Sequence, residues 1–205
     1  MKTGLEIFEL SVIPFILYNS EVWDSIPVEG VQMLEKIQLT FLRMVLKTPK
    51  STPIQSLLWE TGSLDIVSKI NIRNLNFYHH IINLEDDDIA KKIAQIQMKN
   101  KFPDLMMECQ QLLRKYEIDD LIVTEYTKYS WKRIVKKAVV KKATDQIIDK
   151  MKNYKKVNFK EKQEEDFKIK DYLETLNLMN ARTEFAMKTN MLKHIRFNYM
   201  SNPKY

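Results

Sequence analysis

The chain has 205 residues, 44% of them hydrophobic, and 33 Lys/Arg against 27 Asp/Glu give a formal charge of +6. That is enough apolar material for one or two helical domains with a real core, while three glycines and six prolines leave little for tight-turned sheets. A single cysteine, Cys109, excludes an internal disulfide framework, and no apolar run approaches the roughly 20 residues that span a bilayer.

Leu5, Ile7, Phe8, Leu10, Val12, Ile13, Phe15, Ile16 and Leu17 predict a first helix that is apolar nearly all round and buried on several sides. Pro14 is expected to kink it or to open a second segment. Asn19 tolerates positive φ better than most residues bearing a side chain, which suits a left-handed turn. Trp23 is expected to pack back on these helices as a core residue.

Val31, Leu34, Ile37, Phe41, Leu42 and Val45 form the stripe of an amphipathic helix. Thr52, Pro53 and Gln55 then make a capping-box pattern, with proline at the first helical position. Gly62 suits the left-handed residue that closes a helix. Leu34 to Gly62 thus reads as helix, break and helix, a structural hinge packed on the helix that follows. That helix is announced by Ile66, Ile70, Phe77 and Ile81, flanked by Val67, Leu75, Tyr78 and Ile82. Asp86, Asp87 and Asp88 come next. Carboxylate runs can bind metal, but a helix-like stretch with Ile89, Ile93 and Ile96 follows, and acids at a helix start complement its dipole.

Phe102, Pro103 and Asp104 mark a turn, Leu105, Met106, Cys109, Leu112 and Leu113 a short helical stripe, and Leu121 to Val123 a brief apolar piece. Cys109, among apolar neighbours and without a histidine at useful spacing, reads as a buried thiol. His79 and His80 are adjacent, so they point about 100° apart on a helix. His194 is solitary, and zinc is unsupported.

Charge concentrates in residues 124 to 156, where eleven Lys/Arg face three acids; the rest of the chain is therefore at −2. Lys128, Lys132 and Lys136 are four apart, as are Arg133, Lys137 and Lys141, so a helix here carries two adjacent basic rows. Trp131, Ile134, Val135, Ala138, Val139, Ala143, Ile147, Ile148 and Met151 supply its buried stripe. Like charges at this spacing oppose the helix by roughly 0.2–0.5 kcal/mol per pair, a strain that a polyanion relieves. Two readings stand: a phosphate-binding face, or a solvated lysine-rich one. Tyr126, Tyr129 and Trp131 either stack on bases or belong to the core. Residues 157 to 170 are of mixed charge and make the best linker. A last helix runs from Leu176 to about His194, with Leu178, Met179, Phe185, Met187, Met191 and Leu192.

The wording of several segments is also familiar. Leu34-Glu35-Lys36-Ile37-Gln38, Phe41-Leu42-Arg43, Ser51-Thr52-Pro53, Glu60 and Gly62-Ser63-Leu64 resemble the region after the polymerase palm in non-LTR (LINE-type) retrotransposon reverse transcriptases. Upstream, Pro14 to Trp23 (PFILYNSEVW) is similar to the family's P-hydrophobic-LYG-x-E-x-W segment, with Asn19 where glycine is usual. Downstream, Ala181-Arg182-Thr183 with Phe185, Lys188, Thr189, Met191 and Leu192 resembles its AR-x-x-F-x-LRT-x-ML helix. The three matches come in family order and span most of the chain. The family's magnesium-binding aspartate pair needs an aromatic-led hairpin, which Asp86 to Asp88 lack. Fingers, palm, endonuclease and the zinc knuckle that commonly follows are missing, so the chain reads as an internal or C-terminal piece of a polyprotein or a remnant reading frame.

The expectation is an all-α protein, an irregular assembly of about eight helices in two packed modules. Residues 1–99 form a thumb-like N-terminal module and residues 100–205 a basic C-terminal one. The resemblance implies a non-catalytic fragment that grips template RNA or RNA/DNA duplex through phosphates and sits beside the absent palm and fingers. Lys128, Lys132, Arg133, Lys136, Lys137 and Lys141 are the main candidate contacts, joined by Arg43, Lys47, Lys50, Arg182 and Lys188. No catalytic residue, metal, cofactor, small-molecule substrate or membrane is expected. Without a secretion signal the expected location is intracellular, cytoplasmic or nuclear. The competing reading is a helical protein–protein interaction module with a solvated basic face. A self-sufficient enzyme finds no nucleophile–base pair, metal cluster or phosphate loop.

Overall fold

The computed structural model describes residues 1–23, 27–100, 105–120, 123–152 and 167–189. Among these residues the protein is all-α and contains no strand. The elements are α1 (Lys2–Ile7), a π-helical stretch (Phe8–Val12), α2 (Ile13–Ile16), a 3₁₀ turn (Ser20–Val22), α3 (Val28–Leu46), α4 (Ile54–Thr61) and α5 (Ile66–Ile82). Then come α6 (Ile89–Asn100), α7 (Leu105–Lys115), α8 (Lys128–Lys152), α9 (Asp171–Thr175) and α10 (Leu178–Lys188). Among the described residues no helix is long and apolar enough to cross a membrane.

Pro14 acts on the turn before it. Proline has no N–H to donate and its ring crowds the carbonyl four residues back, so the chain widens into a π-helical stretch, closed by Ile13 N–H donating to Phe8 O. The first helix is buried along one row only: Leu5, Phe8 and Ile13 are inside, while Ile7, Leu10 and Phe15 are exposed, Phe15 by 82%. Burial on several sides, expected from its composition, is not what the helix has. Asn19 takes the left-handed conformation, with φ of 56°. Trp23 is half-buried.

In α3 the inward row is Gln38, Leu42 and Leu46, and Ile37, expected in the stripe, is exposed. Gln38 is admitted because its Nε2 donates to Leu64 O at 2.8 Å. Phe41 is half-buried, stacked on Phe8 with ring centroids 3.9 Å apart. The capping box does not form. Pro53, with an extended ψ of 134°, takes the cap position of α4, and Thr52 makes no cap bond. Gly62 does close α4: it sits at φ 60°, its N–H donates to Trp59 O, and Ser63 N–H donates to Leu58 O.

The chain folds into two compact units, each drawn from separate stretches. The first comprises Met1–Ile16, Gln32–Asp65 and the described part of Thr144–Tyr205. Its core holds Leu42 and Leu46 of α3, Leu57, Leu58 and Trp59 of α4, Ile147 and Met151 of α8, and Phe185 of α10. The second comprises Leu17–Val31 and Ile66–Ala143. There α5, α6 and α7 pack together around Leu75, Tyr78, Ala94, Cys109 and Leu113, joined by Trp131, Val135 and Val139 of α8. A single boundary after residue 99 would part α6 from α7, which lie in the same unit.

Within the first unit, Phe167 and Ile169 pack on the core, and Lys170 N–H donates to Glu60 O, so residues 167 to 170 are not linker. Residues 157 to 166 of that expected linker lie outside the described residues, as do Phe102 to Asp104, Leu121, Ile122, Met191, Leu192 and His194. The last described helix begins at Leu178, where Asn177 accepts from Asn180 N–H as its cap. Asp88 accepts from Ala90 N–H at 2.8 Å to cap α6. The aspartate run therefore lies just outside that helix, where Lys91 bonds Asp86 and holds its carboxyl below the usual range.

Candidate nucleic-acid interface

Helix α8 has the composition its spacing announces. Trp131, Val135, Val139, Ala143, Ile147 and Met151 are buried and recur every four residues. Four residues turn about 400° on an α-helix, so the buried line drifts by about 40° per step. Trp131 anchors it, donating from Nε1 to Leu75 O at 3.0 Å, and is 1% exposed. It is a core residue and not a stacking platform. Tyr126 is half-buried, whereas Tyr129 is 85% exposed and free to stack.

All six α8 cations named from the spacing, Lys128, Lys132, Arg133, Lys136, Lys137 and Lys141, are exposed. None forms an ion pair among the described residues. By helical geometry Arg133, Lys137 and Lys141 run roughly 160° from the neighbouring buried residues, while Lys128, Lys132 and Lys136 run alongside them, roughly 60–100° away. The rows rise together by about 20 Å from Lys128 to Lys141.

The five cations of the first unit differ. Arg182 spans 137 positions in sequence to donate from Nε to Val45 O at 2.9 Å and from Nη2 to Met44 O at 3.5 Å. These are carbonyls of α3's last turn, which have no partner within the helix, so Arg182 caps α3. Lys47 is the left-handed residue that ends α3, at φ 56°. Arg43 is half-buried and reaches Thr52 O at 3.5 Å. Lys188 lies over the Tyr172 ring, 4.8 Å from its centroid. Lys47 and Lys50 are exposed without such a side-chain contact. These residues do not make a row comparable with α8's.

Spacing alone did not reveal the pocket at the start of α8. It has a volume of about 390 Å³ and lies wholly within the second unit. Asn76 and His80 of α5 and Asn83, the residue just past its end whose N–H still donates to His79 O, line one side. Lys128 and Lys132 line the other side. His79 and Trp131 stack at 5.0 Å beneath, and His79 Nε2 donates to Tyr126 O at 2.9 Å. The neighbouring histidines thus divide their roles, one in the core and one on the rim.

Cys109 is fully buried, its Sγ 3.5 Å from Asn74 O, in keeping with a structural thiol. Among the described residues no group of three or more His, Cys, Asp or Glu is placed to hold a metal ion. No family model matches the chain, and no curated protein or solved structure matches it.

Proposed function

We propose that the chain is a non-catalytic, nucleic-acid-binding segment that grips RNA or RNA/DNA duplex through its phosphates. The observation that carries the reading is the α8 surface, where six exposed cations stand in two rows without acidic partners among the described residues. Such a field attracts a polyanion irrespective of its sequence. The resemblance to the post-palm region of non-LTR reverse transcriptases supports the same reading. On that reading polymerisation would belong to another part of a polyprotein, with palm and fingers as neighbours, and the protein would act inside the cell.

Fluorescence anisotropy at several salt concentrations tests this. Six phosphate contacts on a duplex give a slope of log K against log salt approaching about −5. The triple variant K132Q/K136Q/K137Q should weaken binding to all sequences alike and flatten the slope by about 2–3 units. Equal affinities and slopes for both proteins would leave the rows as a solvated face.

A second reading, a helical interaction module, is favoured by one specific observation. Ile89, Ile93 and Ile96 make an apolar stripe on α6 that is exposed by 74%, 51% and 56%. Contiguous apolar surface of this kind suits a docked helix.

A further inference from the structure

We propose, resting on the nucleic-acid reading, that the pocket between α5 and α8 in the second unit receives one unpaired nucleotide of the bound strand. The base would enter between the α5 polar face and the Tyr126 side, and its phosphate would lie on Lys128 and Lys132.

Two facing rows of opposite chemistry motivate this. Asn76 and His80 of α5 and Asn83 just after it offer carboxamide and imidazole groups, which pair directionally as the edge of a base does. On α8, Lys128 and Lys132 offer charge without directional demand, as a phosphate requires. The Asn83 Nδ2 is committed to His79 O at 2.9 Å, which leaves its carboxamide oxygen to accept. The Asn76 carboxamide oxygen is shielded from solvent and has no hydrogen-bond partner. Leu84 and the edge of the stacked His79–Trp131 pair supply an apolar floor. A paired base is sealed in its duplex and cannot enter. The nucleotide must therefore be terminal, bulged or single-stranded. Lys128 and Lys132 belong to the pocket and to the basic row at once, so a strand lying on the row brings its nucleotide to the mouth.

The test compares a blunt RNA/DNA hybrid, the same hybrid with a one-nucleotide overhang, and the same with an abasic overhang, titrated by anisotropy against wild type, His80→Ala and Leu84→Trp. The intact overhang should tighten wild-type binding at least about fivefold, and the abasic overhang should add little. Both variants should lose that gain while binding the blunt hybrid as wild type does. Adenosine monophosphate at millimolar concentration should erase the gain if the pocket takes a nucleotide from any source; failure to do so restricts it to nucleotides delivered by a strand. A 4-thiouridine at the overhang should crosslink to peptides covering residues 76–84 or 126–132, a readout independent of any variant's folding. Equal affinity for blunt and overhanging hybrids, or crosslinks only elsewhere, overturns the pocket and leaves the phosphate grip standing. No binding to any hybrid overturns both.

Discussion

Among the described residues three besides glycine adopt positive φ: Asn19, Lys47 and Glu117. Gly62 has an added reason for its identity, because a Cβ there would stand 2.7 Å from Lys168 Cα, with the Lys168–Ile169 backbone closer still. Gly62→Ala should cost at least about 2 kcal/mol, and Glu117→Gly should leave stability unchanged or raise it by up to about 1 kcal/mol; urea unfolding of the two variants checks the contrast. Asn19 and Gly62 were legible because few residue types accept that backbone. Lys47 and Glu117 were not, since nothing in an ordinary side chain marks it. A second prediction concerns Glu35, whose carboxyl is raised above its usual value by burial and then by Asp65, against a smaller opposing effect of Lys150. A folded state that holds its proton more tightly loses stability as pH rises above the unfolded value of 4.5. Glu35→Gln should therefore raise the thermal midpoint at pH 7 and leave it nearly unchanged at pH 3. A rise of equal size at both pH values would point to packing in place of charge.

At the scale of elements, periodicity was enough for α7 and α8, whose buried residues follow the expected stripes. It was enough only in part for α5, where Ile66, Ile70, Leu75, Tyr78 and Ile81 are buried as expected but Val67 is exposed and Ser68, Asn71, Asn74 and His79 are buried too. It failed for the first helix, because a segment apolar on every side carries no signal of which side faces in. No local pattern announces what Arg182, expected at phosphates, donates to: its partner, Val45 O, lies 137 residues away in sequence. The pocket was hidden for the same reason. The i, i+4, i+7 spacing of Asn76, His80 and Asn83 at the end of α5 is visible in the sequence, but its apposition to Lys128 is not. Two substitutions separate core from docking face. Phe185→Ala, at a fully buried position, should cost about 3–5 kcal/mol. Ile93→Lys on the open stripe of α6 should shift unfolding by no more than about 0.5 kcal/mol. A large loss from Ile93→Lys, measured by circular dichroism melting, would show the stripe to be covered.

For the whole molecule, the all-α class was legible from glycine scarcity and helical spacing, whereas the interleaving of the units was not. Which stretches share a core depends on pairings distant in sequence. Net charge also acts at this scale. The whole chain carries only +6, yet the excess sits on α8, where like charges oppose the helix that bears them. Raising sodium chloride from 0.05 to 0.5 M should therefore raise the thermal midpoint, since the Debye length falls from about 14 Å to about 4 Å. K132Q/K136Q/K137Q should melt higher at low salt and respond less to it. A midpoint that falls with salt in the wild type would mean that attractive pairs outweigh this repulsion.

The four-residue rhythm of α8 also constrains the shape of what can lie on it. A line advancing about 40° for every 6 Å of helix winds right-handed, with a pitch of roughly 54 Å. Lys128 to Lys141 together occupy roughly 220° of the helix circumference. A straight rod resting on one side meets a single row of three cations, whereas a partner must embrace the helix, as the walls of a groove do, to meet all six. The salt exponent is thereby a ruler for contour. A value near −3 describes a nucleic acid lying tangent to the helix, and one near −5 describes a helix seated between two phosphate ridges.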